Sequence, residues 1–206
     1  MIEAVVFDIG NVLIEWQPEN YFDRHFGEAR RKALFAEVDL HAMNDRVDAG
    51  ENFHEVLAAT EATNPAFATE IRAWHDDWIQ LASPVIPDSV HLLRALRSKG
   101  VPVFSLTNFG VETFDYAASI YSFLNEFDRD YVSGRMGVIK PDPQIYEMLE
   151  EDCGVPRDRL LFTDDRMDNI AAARARGWQT HHFKGPQGWA DSLVRHGLLT
   201  VEEAKR

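Results

Sequence analysis

One cysteine, Cys153, stands in a chain of 206 residues, so no internal disulfide and no cysteine-based zinc site can form. Long apolar runs are missing too: no stretch reaches the roughly eighteen residues that a membrane-spanning helix needs. Cations are scarce, with 21 Lys and Arg against 34 Asp and Glu and a formal net charge of −13. Nucleic-acid binding depends on clustered Lys and Arg that displace counterions, so that class of partner is not expected. A small anionic substrate stays open, because a bound cation reverses the field locally. The opening MIEAVVFD carries no basic n-region and runs straight into an apolar strand, so no signal peptide is expected and a cytoplasmic location is the default. The pattern leaves the oligomeric state open between monomer and homodimer.

What is present reads as a globular chain, with 45% hydrophobic and 27% charged residues. EAVVFD (3–8), VPVFSL (101–106), FDRDYVS (127–133), RLLFT (159–163) and WQTHHF (178–183) are short apolar strands. Helical patterns separate them: 87–100, closed by Gly100, 143–152, and Asp165 to Arg176, closed by Gly177. Strands alternating with helices predict a doubly wound α/β core with a parallel sheet. Residues 15–86 are aromatic-rich, with helical spacing and no convincing strand. They are expected to form a helical cap inserted after strand one, over a core made of residues 1–14 and 87–206. Ligands of open α/β sheets bind at the carboxyl ends of the strands, where such a cap would close.

Four segments carry polar side chains suited to one chemistry. VVFDIGNVL (5–13) presents Asp8 at a strand end, where a carboxylate can act as a covalent nucleophile. VFSLTN (103–108) presents Thr107 and Asn108, whose hydroxyl and backbone amides can hold a phosphoryl oxygen. GVIKPDP (137–143) fixes Lys140, an ammonium that can neutralise carboxylate and phosphate together. LLFTDDRMDN (160–169) places Asp164 and Asp165 side by side, an arrangement that favours a divalent cation such as Mg²⁺. The plain alternative for the pair is a helix N-cap. His181 and His182 alternate within a strand and cannot share a face, so no histidine metal site is expected. Trp74, His75 and Trp78 read as cap packing rather than a binding box.

In that order, the four segments resemble the haloacid dehalogenase superfamily, and the resemblance spans most of the chain. It implies a sheet order of 5-4-1-2-3. It also implies a phosphatase working through an aspartyl-phosphate on Asp8, with Mg²⁺ held by Asp8, the Gly10 carbonyl and Asp165, and with Asp164 and Asn169 in support. Thr107, Asn108 and Lys140 would hold a small phosphorylated substrate. Arg46 lies where family caps carry a substrate loop, and could grip a hydroxyl or a second anion. One position departs from the pattern: Gly10 stands where family phosphatases place an Asp that protonates the leaving alcohol. Losing such an acid typically costs 10²- to 10⁴-fold, and less for an anomeric phosphate, whose leaving oxygen is more acidic. The FDIGNV turn is similar to that of α-glucose-1-phosphate phosphatases of the superfamily, so a sugar 1-phosphate is a candidate substrate. Two alternatives stand beside this reading. A metal-free 2-haloacid dehalogenase also needs no acid at that position, but has no use for Asp164 and Asp165. A catalytically weak binding or regulatory protein would account for Gly10, against the retained Asp8, Lys140 and Asp165.

Overall fold

The computed structural model describes residues 1–205. Strand β1 (Ala4–Phe7) leads through a tight loop to β2 (Ile14–Trp16). Six helices follow: α1 (Pro18–Phe26), α2 (Glu28–Glu37), α3 (Leu40–Asp48), α4 (Phe53–Thr63), α5 (Ala68–Asp76) and α6 (Trp78–Leu81). The chain returns through β3 (Ala82–Val85) and α7 (Pro87–Ser98) to β4 (Val103–Thr107). Then come α8 (Val111–Ile120), β5 (Arg129–Val132), α9 (Ser133–Met136), α10 (Pro143–Cys153), β6 (Leu160–Asp164), α11 (Met167–Ala175), β7 (Gln179–His182) and α12 (Pro186–Arg195).

Five strands form one parallel sheet in the order β5-β4-β1-β6-β7. Counting only these five along the chain, the order read from β7 is 5-4-1-2-3. Counted over all seven strands it differs, because β2 and β3 make a separate antiparallel ribbon. That ribbon corrects the expectation of a strandless insertion. Its strands, IEW and ASPV, are too short to show alternation, and they bracket the helices of 18–81 at their base.

Strand residues alternate between two apolar layers. Val5, Phe7, Val103 and Leu161 pack with Leu92, Leu93, Leu96 of α7 and Trp189, Leu193 of α12. Ala4, Val6, Phe104, Leu106 and Phe162 pack with Ile145, Tyr146, Leu149 of α10 and Ile170, Ala173 of α11. Each large side chain fully buried this way contributes roughly 1.5–3 kcal/mol. Local sequence sets the helix ends: Asp142 accepts from Gln144 N at 2.8 Å with Pro143 in the first turn, and Gly154 closes α10 with φ 68°. Helix α11 begins at Met167 rather than at 165.

The first apolar layer continues into the cap through Val47, Trp78 and Phe109. Cap and core approach so closely at Gly50, φ +102°, that a Cβ there would lie 2.6 Å from the Gly134 carbonyl oxygen. Ser133 Oγ of α9 donates to the Asp48 carbonyl at 2.6 Å, tying the end of α3 to the core.

Candidate active site

Parallel register puts the carboxyl ends of β4, β1 and β6 side by side, with Phe7 opposite Ser105 and Thr163. The next residues along each strand therefore meet at one rim. Asp8 donates its backbone N–H to the Thr163 carbonyl at 2.9 Å, so its side chain leaves the sheet beside Asp164. Between the two stands Lys140. Its Nζ lies 2.9 Å from Asp8 Oδ1 and 2.7 Å from Asp164 Oδ2, and it donates to the Leu106 carbonyl at 2.8 Å. An ammonium has three donors, and all three are used. Asn108 fixes the lysine's backbone from both sides: its Nδ2 donates to the Lys140 carbonyl at 3.0 Å, and its Oδ1 accepts the Lys140 N–H at 2.8 Å.

The two adjacent aspartates have opposite surroundings. Asp164 is fully buried; Lys140, Asn169 Nδ2 and the Arg166 N–H all donate to it. Asp165 accepts one side-chain hydrogen bond, from Asn11 Nδ2 at 3.0 Å, and faces the cavity. Asn11 itself has φ 54°, a left-handed conformation that asparagine tolerates, and its Oδ1 holds the Trp16 N–H at 2.9 Å.

Electrostatics follow from burial. The Asp8 carboxyl is pushed up to about 7 by burial, with repulsion from Asp164 and Asp165 adding to it and Lys140 opposing. Burial also raises Asp165, although the Asn11 hydrogen bond works against it. Burial disfavours the Lys140 ammonium, but Asp164 and Asp8 outweigh it and hold its pKa above the usual lysine value. One lysine thus serves three carboxylates, and negative charge is in excess. Oxygens of Asp8, Asp164 and Asp165 all lie within 4.8 Å of one another. Nearby, Asn169 Oδ1 is buried without a hydrogen-bond partner among the described residues. An oxygen-only set with surplus charge and an orphaned acceptor fits a hard divalent cation with its waters.

Above the rim lies a cavity of about 280 Å³ lined by Asp8, Gly10, Thr107, Asn108, Lys140, Asp165 and Asn169 from the core side. Six of the candidates named from sequence thus meet there with Gly10, and Asp164 sits directly beneath. Thr107 ends β4 with its side chain at this wall. Arg46 is not among them: it is exposed and bonds Glu51 through two contacts of 2.9 and 2.5 Å. Nor does an acid of the pair 164–165 cap α11 from within, since the N-cap is Arg166 and makes no side-chain cap bond.

A model of haloacid dehalogenase-like hydrolases matches residues 2–177. The chain belongs to that family. A sesquiterpene phosphatase of Aspergillus oryzae is 23% identical over 186 residues, covering 88% of this chain and 89% of the relative. An (S)-2-haloacid dehalogenase of Pseudomonas putida is 29% identical over 105 residues, covering 51% of this chain and 44% of the relative. Among solved structures, a HAD-family enzyme of Bacteroides thetaiotaomicron in a magnesium complex superposes with TM-score 0.68 at 20% identity, over 93% of this chain and 98% of that one. That likeness establishes the fold.

For this hydrolase, sequence reasoning missed the cap side of the cavity. Trp16 of β2, Asn44 and Asp48 of α3, and Trp78 of α6 all line it. Trp78 is therefore a wall of the site as well as a packing residue, whereas Trp74 is wholly buried. No Lys or Arg comes from the cap side; among the lining residues the cations are Lys140 and Arg166, both of the core, and Arg166 is paired with Asp168. As expected, the two histidines of β7 part company: His182 Nε2 meets the Asp165 carbonyl at 2.9 Å, while His181 packs on Trp189.

Proposed function

We propose that this HAD-like hydrolase is a Mg²⁺-dependent phosphomonoesterase acting through a phosphoryl group carried on Asp8. The observation behind it is the excess of carboxylate around Lys140: metal-free dehalogenation has no use for Asp165, whereas phosphoryl transfer needs a cation there. The relatives named as phosphatases, and the magnesium complex of a structural neighbour, support the same reading.

Asp8 attacks phosphorus in line, the bond to the leaving oxygen breaks, and water later releases phosphate from Asp8. Lys140 has no idle donor at rest, so it contributes fixed positive charge beside Asp8 and the phosphoryl group. The Thr107 hydroxyl and the backbone after β4 receive the phosphoryl oxygens. Asp8, the Gly10 carbonyl and Asp165 would hold Mg²⁺, with Asp164 and Asn169 around them, and the ion supplies the charge that lets a carboxylate meet a phosphate.

The cap-side wall is aromatic and acidic, so the substrate is a single-phosphate metabolite with an uncharged body. A sugar 1-phosphate suits the site at Gly10, since its leaving oxygen needs a proton least. Hydrolysis of a phosphorylated-metabolite panel, run with Mg²⁺ and with EDTA, tests the proposal. Turnover of 2-haloacids that survives EDTA would instead favour dehalogenation.

A further inference from the structure

We propose that Asp48, carried on the cap, supplies the leaving oxygen with the proton that Gly10 cannot. This rests on the phosphatase reading above. Asp48 ends α3 and lines the same cavity as Asp8, yet only 8% of its surface is exposed. Few carboxylates are buried so deeply unless paired with a cation, and none of the ion pairs among the described residues includes Asp48. Its partner is Asn44, whose Nδ2 donates to Asp48 Oδ2 at 2.8 Å and whose Oδ1 accepts the Trp74 indole N–H at 3.3 Å. The Gly110 N–H also donates to this carboxyl, so neutral donors rather than a cation hold it in place. Its backbone is pinned to the core by Ser133 and by the close passage of Gly50 over Gly134. A general acid must be held in place, and this one is held at both ends.

The charged groups around Asp48 are Asp45 on its own helix, with Asp8 and Lys140 across the cavity. Burial, then Asp45, raise its carboxyl to about 7, against a backbone hydrogen bond from Gly110. A group near neutrality holds a proton to give and can take one back.

Asp8 forms its bond to phosphorus while the phosphorus–alcohol bond breaks, and the departing oxygen keeps the electron pair. That oxygen takes the Asp48 proton and leaves as the alcohol. Asp48, now a carboxylate, takes a proton from the water that attacks phosphorus, and Asp8 departs from the phosphate. Both carboxyl groups end as they began. With Asp48 in place the site handles ordinary alcohols; without it, only anomeric and aryl phosphates leave easily.

The test compares kcat/KM for n-butyl phosphate and p-nitrophenyl phosphate, with Mg²⁺, in wild type and in Asp48→Asn. The nitrophenolate needs no proton to leave. The alkyl substrate is expected to lose about 10²- to 10⁴-fold and the aryl one less than about tenfold. Adding Gly10→Asp to Asp48→Asn is expected to restore alkyl turnover, since a Cβ at Gly10 meets nothing within 4 Å. Equal losses on both substrates, or no loss on either, would overturn the role of Asp48 and leave the phosphatase reading intact. If wild type hydrolyses neither ester, both fall together. Circular dichroism checks folding, and Asp48→Ser repeats the comparison if the Asn variant misfolds.

Discussion

The two walls of the cavity are built on opposite plans. On the core wall charge is fixed: Lys140 spends every donor, Asp164 is bonded on both oxygens, and Asn108 grips the lysine's backbone. On the cap wall, Trp16 and Trp78 line the cavity together with the buried Asp48 and the exposed Asp45, and none of the cap's lining residues is a Lys or Arg. The core wall has the features of a machine for handling one phosphoryl group, indifferent to what the phosphate is attached to. The cap wall meets the rest of the molecule. On the function proposed above, chemistry and selectivity would sit on separate pieces of chain, joined at the β2–β3 ribbon and at the Gly50–Gly134 contact.

The sharpest way to break the contrast is on the core wall. Asp8→Asn is expected to lower phosphate-ester turnover by about 10⁴-fold or more, because losing a nucleophile removes the whole covalent route. Near-wild-type turnover in a steady-state assay would mean the attacking group lies elsewhere. Lys140→Met leaves Asp8 and Asp164 buried together without their shared cation. Removing one partner of such a buried set costs about 3–5 kcal/mol. Urea unfolding at pH 8 reads this loss, and the deficit should shrink below pH 7, where the buried Asp8 carboxyl takes up a proton.

On the cap wall the sign reverses. Burial raises the Asp48 carboxyl to about 7 in the folded state, against 3.8 for a free aspartate. Between those values the folded state keeps a proton that the unfolded chain has released, so stability falls as pH rises through that window and is flat above it. The penalty at pH 8 has a ceiling of about 4 kcal/mol. Asp48→Asn removes it, so this variant should melt higher than wild type at pH 8 and alike at pH 4. A lower melting temperature at pH 8 would mean the carboxylate is stabilising in place.

Smaller effects sharpen the comparison further. In the Asp48→Asn background, Gly10→Asp adds an acid to the core wall, and should raise kcat/KM roughly tenfold on primary-alcohol phosphates but much less on anomeric ones. Equal gains on both would refute the leaving-group argument. Arg46→Ala should leave kcat/KM unchanged, because the guanidinium faces solvent and Glu51. A marked rise in KM would return it to the substrate.

The same contrast explains what the sequence made legible. Asp8, Thr107 and Asp165 each end an apolar run, and Lys140 sits in a short turn beside prolines, so local pattern alone puts them at the sheet rim. The cap stretch NDRVDAG carries two acids, Asp45 and Asp48, with nothing in the sequence to tell the exposed one from the buried one. Asp48 matters only because Gly110 and Ser133, far along the chain, bury it. Arg46 lies in the same stretch, two residues away and about 200° around the helix, and points outward to Glu51. Asn11 is legible as a turn residue, but its bond to Asp165 spans 154 positions and leaves no local trace.

The most direct test of the central claim is p-nitrophenyl phosphate hydrolysis by the purified protein in Mg²⁺, after EDTA, and after Mg²⁺ is restored. The expected result is turnover, its loss, and its return, with Asp165→Asn needing far more Mg²⁺ for the same rate. Turnover that ignores EDTA, or an Asp165→Asn variant with unchanged Mg²⁺ demand, would contradict it.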